Sequence, residues 1–341
     1  MLDFSNVLDL PLIWALIIGV AIFLYVFLDG FDLGVGIIFP FAPSESCRNK
    51  MMNSIAPFWD GNETWLVLGG GGLFAAFPLA YSVLLPAFYI PIITMLLGLI
   101  MRGVAFEFRF KADENHVWFW NYIFHFGSLI AALCQGCILG AFVEGVVDVT
   151  GRDFTGGSFD WATAFSMITG IAMIFGYALL GATWLIMKTT HITQNWARQV
   201  ASYALFFVGV FMVFVSAAVP FINKDIANLW FSVPNIYYLS IIPLTTFGLF
   251  ILTWIELHKS GNEYMPFLYS ISIFLLGYIG LGLSIFPWLI PYKYTIWEAA
   301  AHSHSLSLML CGVAPLLPII LGYTGYSYYV FRGKSGDETL Y

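Results

Sequence analysis

The chain of 341 residues is far more apolar than a water-soluble protein, with 60% hydrophobic and only 10% charged residues. Soluble domains carry about 25% charged residues, so a mean hydropathy of +0.84 indicates a chain surrounded mainly by lipid. The formal net charge is −7, and no basic stripe suggests a nucleic-acid partner. The composition therefore excludes a soluble enzyme and a nucleic-acid-binding protein, and it makes the lipid bilayer the main partner.

Apolar segments long enough to span a membrane recur along the chain. A membrane-spanning helix needs about 20 residues, and a sliding hydropathy window predicts roughly nine spans. Their approximate cores are 11–39, 60–80, 83–105, 118–146, 161–188, 198–222, 236–257, 265–287 and 303–331. We therefore expect an all-α integral membrane protein in which residues 1–341 form a single polytopic membrane domain, with no soluble domain.

The loops between these segments alternate in charge. Most Lys and Arg residues lie in every second loop and in the C-terminal tail, in the stretches PSESCRNK, FEFRFK, KTTHITQNWAR, ELHKSGNEY and FRGKSGDETLY. The intervening loops are acidic or near neutral. The positive-inside rule then predicts an N-terminus outside and a cytoplasmic C-terminus, which agrees with an odd number of spans.

The first span contains two carboxylates in the stretch FLDGFDLGVGIIFP, residues 27–40. Asp29 and Asp32 are three residues apart, so they share one helix face. Gly30 and Gly34 form a G-x-x-x-G pattern, which lets a second helix backbone approach closely. Acids at membrane depth are costly, and two interpretations stay open: hydrogen bonding to neighbouring helices, or a proton or ion relay.

The second cluster is NSIAPFWDGNETWLVLGGGGLFAAFP, residues 53–78. Asp60 and Glu63 form a D-x-x-E pattern at the start of a helix, which predicts a capping box. Capping does not exclude a second role for Asp60 as a proton acceptor at a cytoplasmic mouth. The four glycines Gly69, Gly70, Gly71 and Gly72 indicate close packing or an unwound segment.

The third cluster is MRGVAFEFRFK, residues 101–111, at the cytoplasmic end of the third predicted span. Lys111 fits an anchor of the positive-inside type, and Glu107 fits either a surface acid or a site carboxylate. Arg102 lies deeper and needs a carboxylate partner. The candidates for that partner are Asp29, Asp32, Asp60 and Glu107.

The histidines give little indication of a haem or metal site. Only His125 lies well inside a predicted span, and a bis-histidine haem needs two histidines at equal depth on facing helices. We therefore expect no cofactor and no metal on this chain.

The blocks LDGFDLGVGIIFP, NSIAPFWDGNETWLVLGGGGLFAAFP and MRGVAFEFR, in this order, resemble subunit II of cytochrome bd quinol oxidases. The late stretch SIFPWLIPYKYTIWEAAAHSHSLSLML is similar to the family's segment before its last helix, so the resemblance runs from about residue 10 to residue 331. It implies two four-helix bundles plus one peripheral helix. It also implies a multi-pass protein of a prokaryotic inner or plasma membrane.

The resemblance further implies a heterodimer with a larger subunit I, which carries haems b and d and oxidises quinol while O2 is reduced to water. A small accessory membrane subunit is left open. By motif position, the family's proton path maps onto Asp60, Glu107 and Lys111, and Asp29 is a further candidate for proton transfer. Phe58 stands where relatives can carry a polar residue. Structural roles in packing are expected for Asp32, Arg102, Gly30, Gly34, Trp59 and Glu63.

The competing function is an ion-coupled secondary transporter. Intramembrane acids and glycine-interrupted helices suit such a protein, but the sequence has no matched pair of broken helices in two halves. A haem absorbance spectrum in the purified complex distinguishes the oxidase from a transporter.

Overall fold

Long apolar segments form helices because a backbone in lipid has to satisfy its own hydrogen bonds. The computed structural model describes residues 8–113, 115–259 and 261–336. Its helices are α1 (Leu10–Ile38), α2 (Glu45–Ile55), α3 (Trp59–Ala76), α4 (Pro78–Ala87), α5 (Tyr89–Arg109), α6 (Val117–Glu144), α7 (Ala164–Lys188), α8 (His191–Ile222), α9 (Lys224–Phe231), α10 (Asn235–Leu239), α11 (Ile241–His258), α12 (Met265–Ile285), α13 (Ile296–Ala299) and α14 (Ser303–Val330). Two short antiparallel hairpins pair β1 (Val149–Thr150) with β2 (Asp153–Phe154), and β3 (Trp288–Ile290) with β4 (Tyr294–Thr295).

The expected all-α membrane architecture is confirmed. Within the described residues, eight helical segments are long and apolar enough to cross a membrane. They are α1 with the 3-10 turn that follows it, α5, α6, α7, α8, α10 with α11, α12, and α14. These segments correspond to eight of the predicted spans.

The predicted span 60–80 folds differently from a single continuous helix. Helix α3 ends at Ala76, and α4 begins separately at Pro78 because proline cannot donate the hydrogen bond that continues a helix. The polar first turn of α3 also lowers its hydropathy. Its glycines stay helical: a Cβ at Gly72 would lie 3.1 Å from Ile18, whereas Gly70 and Gly71 face open space. Gly72 therefore serves close packing of α3 on α1.

The ends of the helices are set by local chemistry. Asp9 caps α1 by accepting a hydrogen bond from the Leu12 backbone, and Thr163 caps α7 in a reciprocal pair with Ser166. Helix α6 ends at Glu144, and Gly145 caps it with a φ of 70°, the left-handed conformation that glycine tolerates.

The long helices pack in two groups. In the first group α1 packs against α3 and α6, and α6 packs against α5. In the second group α7, α8, α11 and α12 pack in a closed ring. Helix α7 joins the groups by packing on α1 and α6, and α14 lies outside them against α1 and α3. We name the two ends of this assembly the α2 end and the hairpin end, after the elements that cover them.

The closest approach between the two groups lies where α1 crosses α7. A Cβ on Gly34 would lie 1.8 Å from the carbonyl oxygen of Tyr177, and a Cβ on Gly181 would lie 2.4 Å from the backbone of Gly34. A Cβ on Gly30 would lie 2.8 Å from the Tyr177 ring. Backbone meets backbone at this crossing, as small residues allow in membrane bundles.

Residues 331–336, which we name the C-terminal strap, cross the α2 end after α14. The Lys188 ammonium donates to the carbonyl oxygens of Phe331 and, at 3.0 Å, of Gly333. The Ser335 backbone donates to the Lys188 carbonyl at 2.7 Å. Lys188 is buried, and its ammonium lies 5.5 Å and 5.3 Å from the ring centroids of Phe58 and Trp184. No carboxylate pairs with it within the described ranges, so the strap carbonyls are its main acceptors.

A second set of contacts fixes the strap to the loop between α11 and α12. Lys334 donates to the Thr189 carbonyl at 3.0 Å and pairs with Glu263 at 2.5 Å. Gln194 donates to the other Glu263 oxygen at 2.7 Å. The hydrogen bonds from Lys334 and Gln194 lower the pKa of Glu263 from its ordinary value of 4.5, so it is ionised at neutral pH.

The substitution Gly34→Ala should destabilise the subunit by about 3 kcal/mol or more, since the new methyl meets backbone that cannot move aside. Gly248→Ala is the matched control, because Gly248 on α11 faces open space. Thermal unfolding of the detergent-purified complex measures both. Equal melting temperatures for the two variants would show that the α1 and α7 backbones are not in close contact at Gly34.

Deletion of residues 333–341 should cost about 2 kcal/mol, since the buried Lys188 ammonium loses its charged hydrogen bond to the Gly333 carbonyl. In a Lys188→Met background the same deletion should cost clearly less. Lys224→Met, at an exposed lysine of the hairpin end, controls for the substitution itself. If thermal unfolding gave the deletion the same cost with and without the Lys188→Met substitution, the coupling between Lys188 and the strap would be contradicted.

Candidate functional site

Two carboxylates lie fully buried on α1, in its half nearer the α2 end. Asp29 and Asp32 are each 0% exposed. Their spacing of three residues puts both on one side of the helix. A charged group without partners is expensive in such surroundings, so the site is defined by what these acids contact.

Arg102 on α5 binds two carboxylates at once. One terminal nitrogen of its guanidinium lies 2.6 Å from Asp29 Oδ1, and the other contacts Glu63 Oε1. Among the four candidate partners of Arg102, the structure therefore selects Asp29, and it adds Glu63, which was not among them. The contact joins α1, α3 and α5.

The expected capping box of Asp60 and Glu63 is wrong. Helix α3 is flanked by Phe58 at its N-cap, which makes no side-chain capping bond, and it already includes Trp59. Asp60 therefore lies inside the first turn and is exposed. Glu63 turns to Arg102, because an ion pair in a low-dielectric interior is a stronger interaction than a capping bond.

Asp32 is held by a different pair of helices. The Asn62 side-chain amide on α3 donates to Asp32 Oδ2 at 2.7 Å, and the Tyr328 hydroxyl on α14 donates to Asn62 Oδ1 at 2.9 Å. The Asn62 amide also lies 3.3 Å from the Leu28 carbonyl oxygen. Asp32 is thus positioned through Asn62 by the last helix of the chain.

Three buried atoms of this cluster have no hydrogen-bond partner within the described residues. They are Asp29 Oδ2, Asp32 Oδ1 and Arg102 Nε. The cluster also has three carboxyl groups, those of Asp29, Asp32 and Glu63, for one guanidinium. The ion pairs with Arg102 therefore do not satisfy every hydrogen-bonding atom of the cluster or balance every carboxylate in it.

A neutral hydrogen-bonded chain lies next to the acids, deeper in the bundle. Tyr25 is one turn before Asp29 on α1. The side-chain amide of Gln135 on α6 donates to the Tyr25 hydroxyl at 2.7 Å. The Tyr177 hydroxyl on α7 donates to the side-chain oxygen of Gln135 at 2.5 Å. Sequence reasoning missed this chain, because a single Gln or Tyr in an apolar span gives no periodic signal.

Aromatic rings cover Asn62 and Asp32 from the α2 end. The Phe58 ring stacks on Tyr328 with centroids 4.3 Å apart and meets Trp184 edge-on at 5.7 Å. Phe331 closes the set at 6.1 Å from Phe58. Because Phe58 is buried, this aromatic cover separates Asp32 from the surface.

The other expected proton-transfer residues lie at the surface and are not brought together. Asp60 and Lys111 are exposed and Glu107 is half-buried. In the ranges that the structure describes, no hydrogen bond or ion pair joins them. Trp59 beside Asp60 packs on Phe106, with ring centroids 5.1 Å apart, and so fixes α3 against α5.

Arg109 organises the α2 end. Its guanidinium contacts Asn121 at 2.6 Å, Asn49 at 2.8 Å and Glu45 at 3.0 Å. These contacts hold α2 against α5 and α6.

Metal-ligating groups do not cluster in the part of the chain that the structure describes: no three His, Cys, Asp or Glu side chains there lie close enough to hold an ion. His125 Nδ1 lies 3.2 Å from the Gly36 carbonyl oxygen, and the His125 ring contacts Phe41 and Phe126.

Replacing Arg102 by Gln should destabilise the complex by about 3 to 5 kcal/mol, because two carboxylates lose their counter-charge. Asp29→Asn should cost less, since Glu63 still balances the guanidinium. Arg152→Gln, at an exposed turn of the hairpin end, is the control. Thermal unfolding should rank the variants in that order; an Arg102→Gln complex as stable as Arg152→Gln would contradict the buried pair.

Comparison with known proteins identifies the family. The profile of the family described as cytochrome bd terminal oxidase subunit II matches residues 10–331. Cytochrome bd-I ubiquinol oxidase subunit 2 of Escherichia coli (strain K12) is 30% identical over 370 residues, which cover 97% of this chain and 96% of that one. Cytochrome bd ubiquinol oxidase subunit 2 of Bacillus subtilis (strain 168) is 30% identical over 333 residues, covering 94% and 96%.

A solved structure shows the same fold. A chain in the structure of bd oxidase from Geobacillus thermodenitrificans matches with a TM-score of 0.74 at 16% identity, covering 95% of this chain and 99% of that chain. Together with the apolar helices, these matches make this a multi-pass protein of a prokaryotic plasma membrane. The expected resemblance is confirmed: the chain belongs to the cytochrome bd terminal oxidase subunit II family and is a respiratory-chain subunit.

Proposed function

We propose that this chain supports a haem-bearing subunit I in a quinol oxidase and brings cytoplasmic protons toward the site where that complex reduces O2 to water. The observation that carries the proposal is the buried cluster of Asp29, Arg102 and Glu63. Its Glu63 lies on α3, the helix that presents Asp60 to the surface. Reduction of O2 consumes protons, and a site enclosed by helices needs polar groups to deliver them.

The proposed path begins at the surface of the α2 end. Asp60 on α3, and Glu107 and Lys111 on and after α5, flank the contact between Trp59 and Phe106. Carboxylates there exchange protons with water, and the positive charge of Lys111 favours negatively charged groups in the same region. Asp29 is the buried continuation of the path, while Asp32 keeps a structural role through Asn62.

We place the haems and the quinol-oxidising step on subunit I. Haem iron supplies the electron transfer and O2 chemistry when it is bound in the complex. We assign His125 a packing role, since its ring lies against Phe41 and Phe126. The chain's own contribution is therefore proton delivery and support.

We further propose nine membrane spans in a single polytopic membrane domain, with α3 as the span additional to the eight most apolar ones. The packing of α1, α3, α5 and α6, and the closed ring of α7, α8, α11 and α12, support two four-helix bundles with α14 peripheral. Lysine and arginine gather at the α2 end, which supports a cytoplasmic C-terminus and an N-terminus outside.

The proposed contact with subunit I includes the outer face of α3. Val67 and Phe74 are 73% and 61% exposed there, and Gly70 and Gly71 leave room for a close helix. Asp60 lies on the same face by helical spacing, so a proton path along this contact is short. Other exposed apolar faces contact lipid, and a small accessory subunit would dock among them.

The transporter alternative is not favoured, because residues 10–331 match the oxidase family. Copurification of a second subunit with a haem absorbance spectrum checks the assignment directly. A colourless single-chain preparation that moves a solute would support the transporter instead.

The substitution Asp60→Asn should lower the rate of O2 reduction per haem by about tenfold, because the amide cannot accept and release a proton. Haem content and assembly should stay unchanged, since Asp60 makes no capping bond. Asp113→Asn, at an exposed acid of the same end, is the control. A wild-type rate per haem in Asp60→Asn would refute its role in the path.

A further inference from the structure

We infer that Glu63 is the group through which the buried Asp29–Arg102 pair exchanges protons with the surface at the α2 end. The inference rests on the proposed function of proton delivery and assigns one residue of the path. Glu63 was expected from the sequence to have only a local structural role.

Glu63 is the member of the cluster that is accessible from the surface. The side chains of Asp29 and Arg102 are 0% and 2% exposed, whereas that of Glu63 is 29% exposed. Asp32 has no comparable opening, since Asn62, Tyr328 and the ring of Phe58 cover it. Within the buried cluster, Glu63 is therefore the carboxyl group that reaches both the interior and the surface.

Glu63 also lies next to Asp29. Glu63 and Asp29 bind the two terminal nitrogens of the Arg102 guanidinium. Their carboxyl groups are therefore held next to each other by one side chain. Arg102 keeps its protons at any physiological pH and cannot relay them. It positions two carboxyl groups that can carry protons. Asp60 lies one helical turn before Glu63 on α3, so the surface acid and Glu63 are neighbours as well.

The cluster has more carboxyl groups than one guanidinium can balance. With Asp29, Asp32 and Glu63 all ionised, the cluster would hold two negative charges beyond the one that Arg102 balances. Such charges are costly at membrane depth, so the cluster stores protons on its carboxyl groups. Asp32 Oδ1 is a buried oxygen without a partner in the described chain, and it can carry one of these protons.

The proton balance is simple. The Glu63 carboxylate accepts a proton from Asp60 or from water, and its ion pair with Arg102 becomes a hydrogen bond between the charged guanidinium and a neutral carboxyl group. Asp29 then holds the guanidinium alone. When Glu63 passes the proton to Asp29, Glu63 regains its charge and its ion pair with Arg102. Asp29 then releases the proton toward the site of O2 reduction, which consumes it, and the cluster can accept another proton from the surface.

The alternative is a counter-ion role, in which Glu63 only stabilises Arg102. The substitution Glu63→Gln keeps the shape and a hydrogen bond to Arg102 but cannot carry a proton. Glu63→Asp keeps the carboxyl group with a shorter side chain. The two substitutions therefore separate proton transfer from packing.

The test uses the purified complex, with O2 reduction per haem measured from about pH 5.5 to pH 8.5. Glu63→Gln should lower the rate by about tenfold and remove one ionisation from the pH–rate profile, with the haem spectrum unchanged. Glu63→Asp should restore most of the rate with a shifted ionisation. Glu256→Gln, at a half-buried acid of α11 outside the cluster, should match wild type.

A wild-type rate and profile in Glu63→Gln, alongside a slow Asp60→Asn, would overturn this inference and leave the proposed function standing. Wild-type behaviour in both variants would refute the proposed function as well. Equal losses in Glu63→Gln and Glu63→Asp, with an unshifted profile, would assign Glu63 the counter-ion role. Should Glu63→Gln not assemble, the profile of Glu63→Asp decides alone, since a counter-ion leaves the ionisation in place.

Discussion

A single guanidinium inside the membrane organises this subunit. Arg102 is buried, and its ion pairs with Asp29 and Glu63 tie α5 to α1 and α3. A buried arginine has no neutral form to adopt, so its neighbours have to provide negative charge. That requirement explains why acids recur on helices that are otherwise apolar, and it gives the bundle a polar interior from which proton chemistry can start.

The acid cluster has two unlike sides. Toward α14 it is closed by Asn62, Tyr328 and the aromatic cover around Phe58. Toward the outer face of α3 it is open at Glu63. On the proposed proton path, a cluster closed on one side and accessible on the other would take up protons from the accessible side only. That side coincides with the glycine-lined face of α3 proposed to contact a partner subunit.

Hydropathy predicted most of this fold, because span length and apolarity follow directly from bilayer thickness. It was weakest at α3, where polar residues and a break at Phe77 fall within one averaging window. The site was predictable only in part. The need of Arg102 for a carboxylate followed from its depth, and Asp29 was among the candidates. The pairing of Arg102 with Glu63 depends on the residue at which α3 begins, which the D-x-x-E pattern predicts wrongly. The hydrogen-bonded chain through Gln135 has no signal in the sequence.

The C-terminal strap also bears on how the chain is made. Lys188 ends a helix in the middle of the sequence, yet its carbonyl acceptor at Gly333 lies 145 residues further along. During synthesis the ammonium lacks these acceptors until the residues of the strap have been added. The final hydrogen bonding at the end of α7 therefore depends on a segment that is translated long after the helix itself.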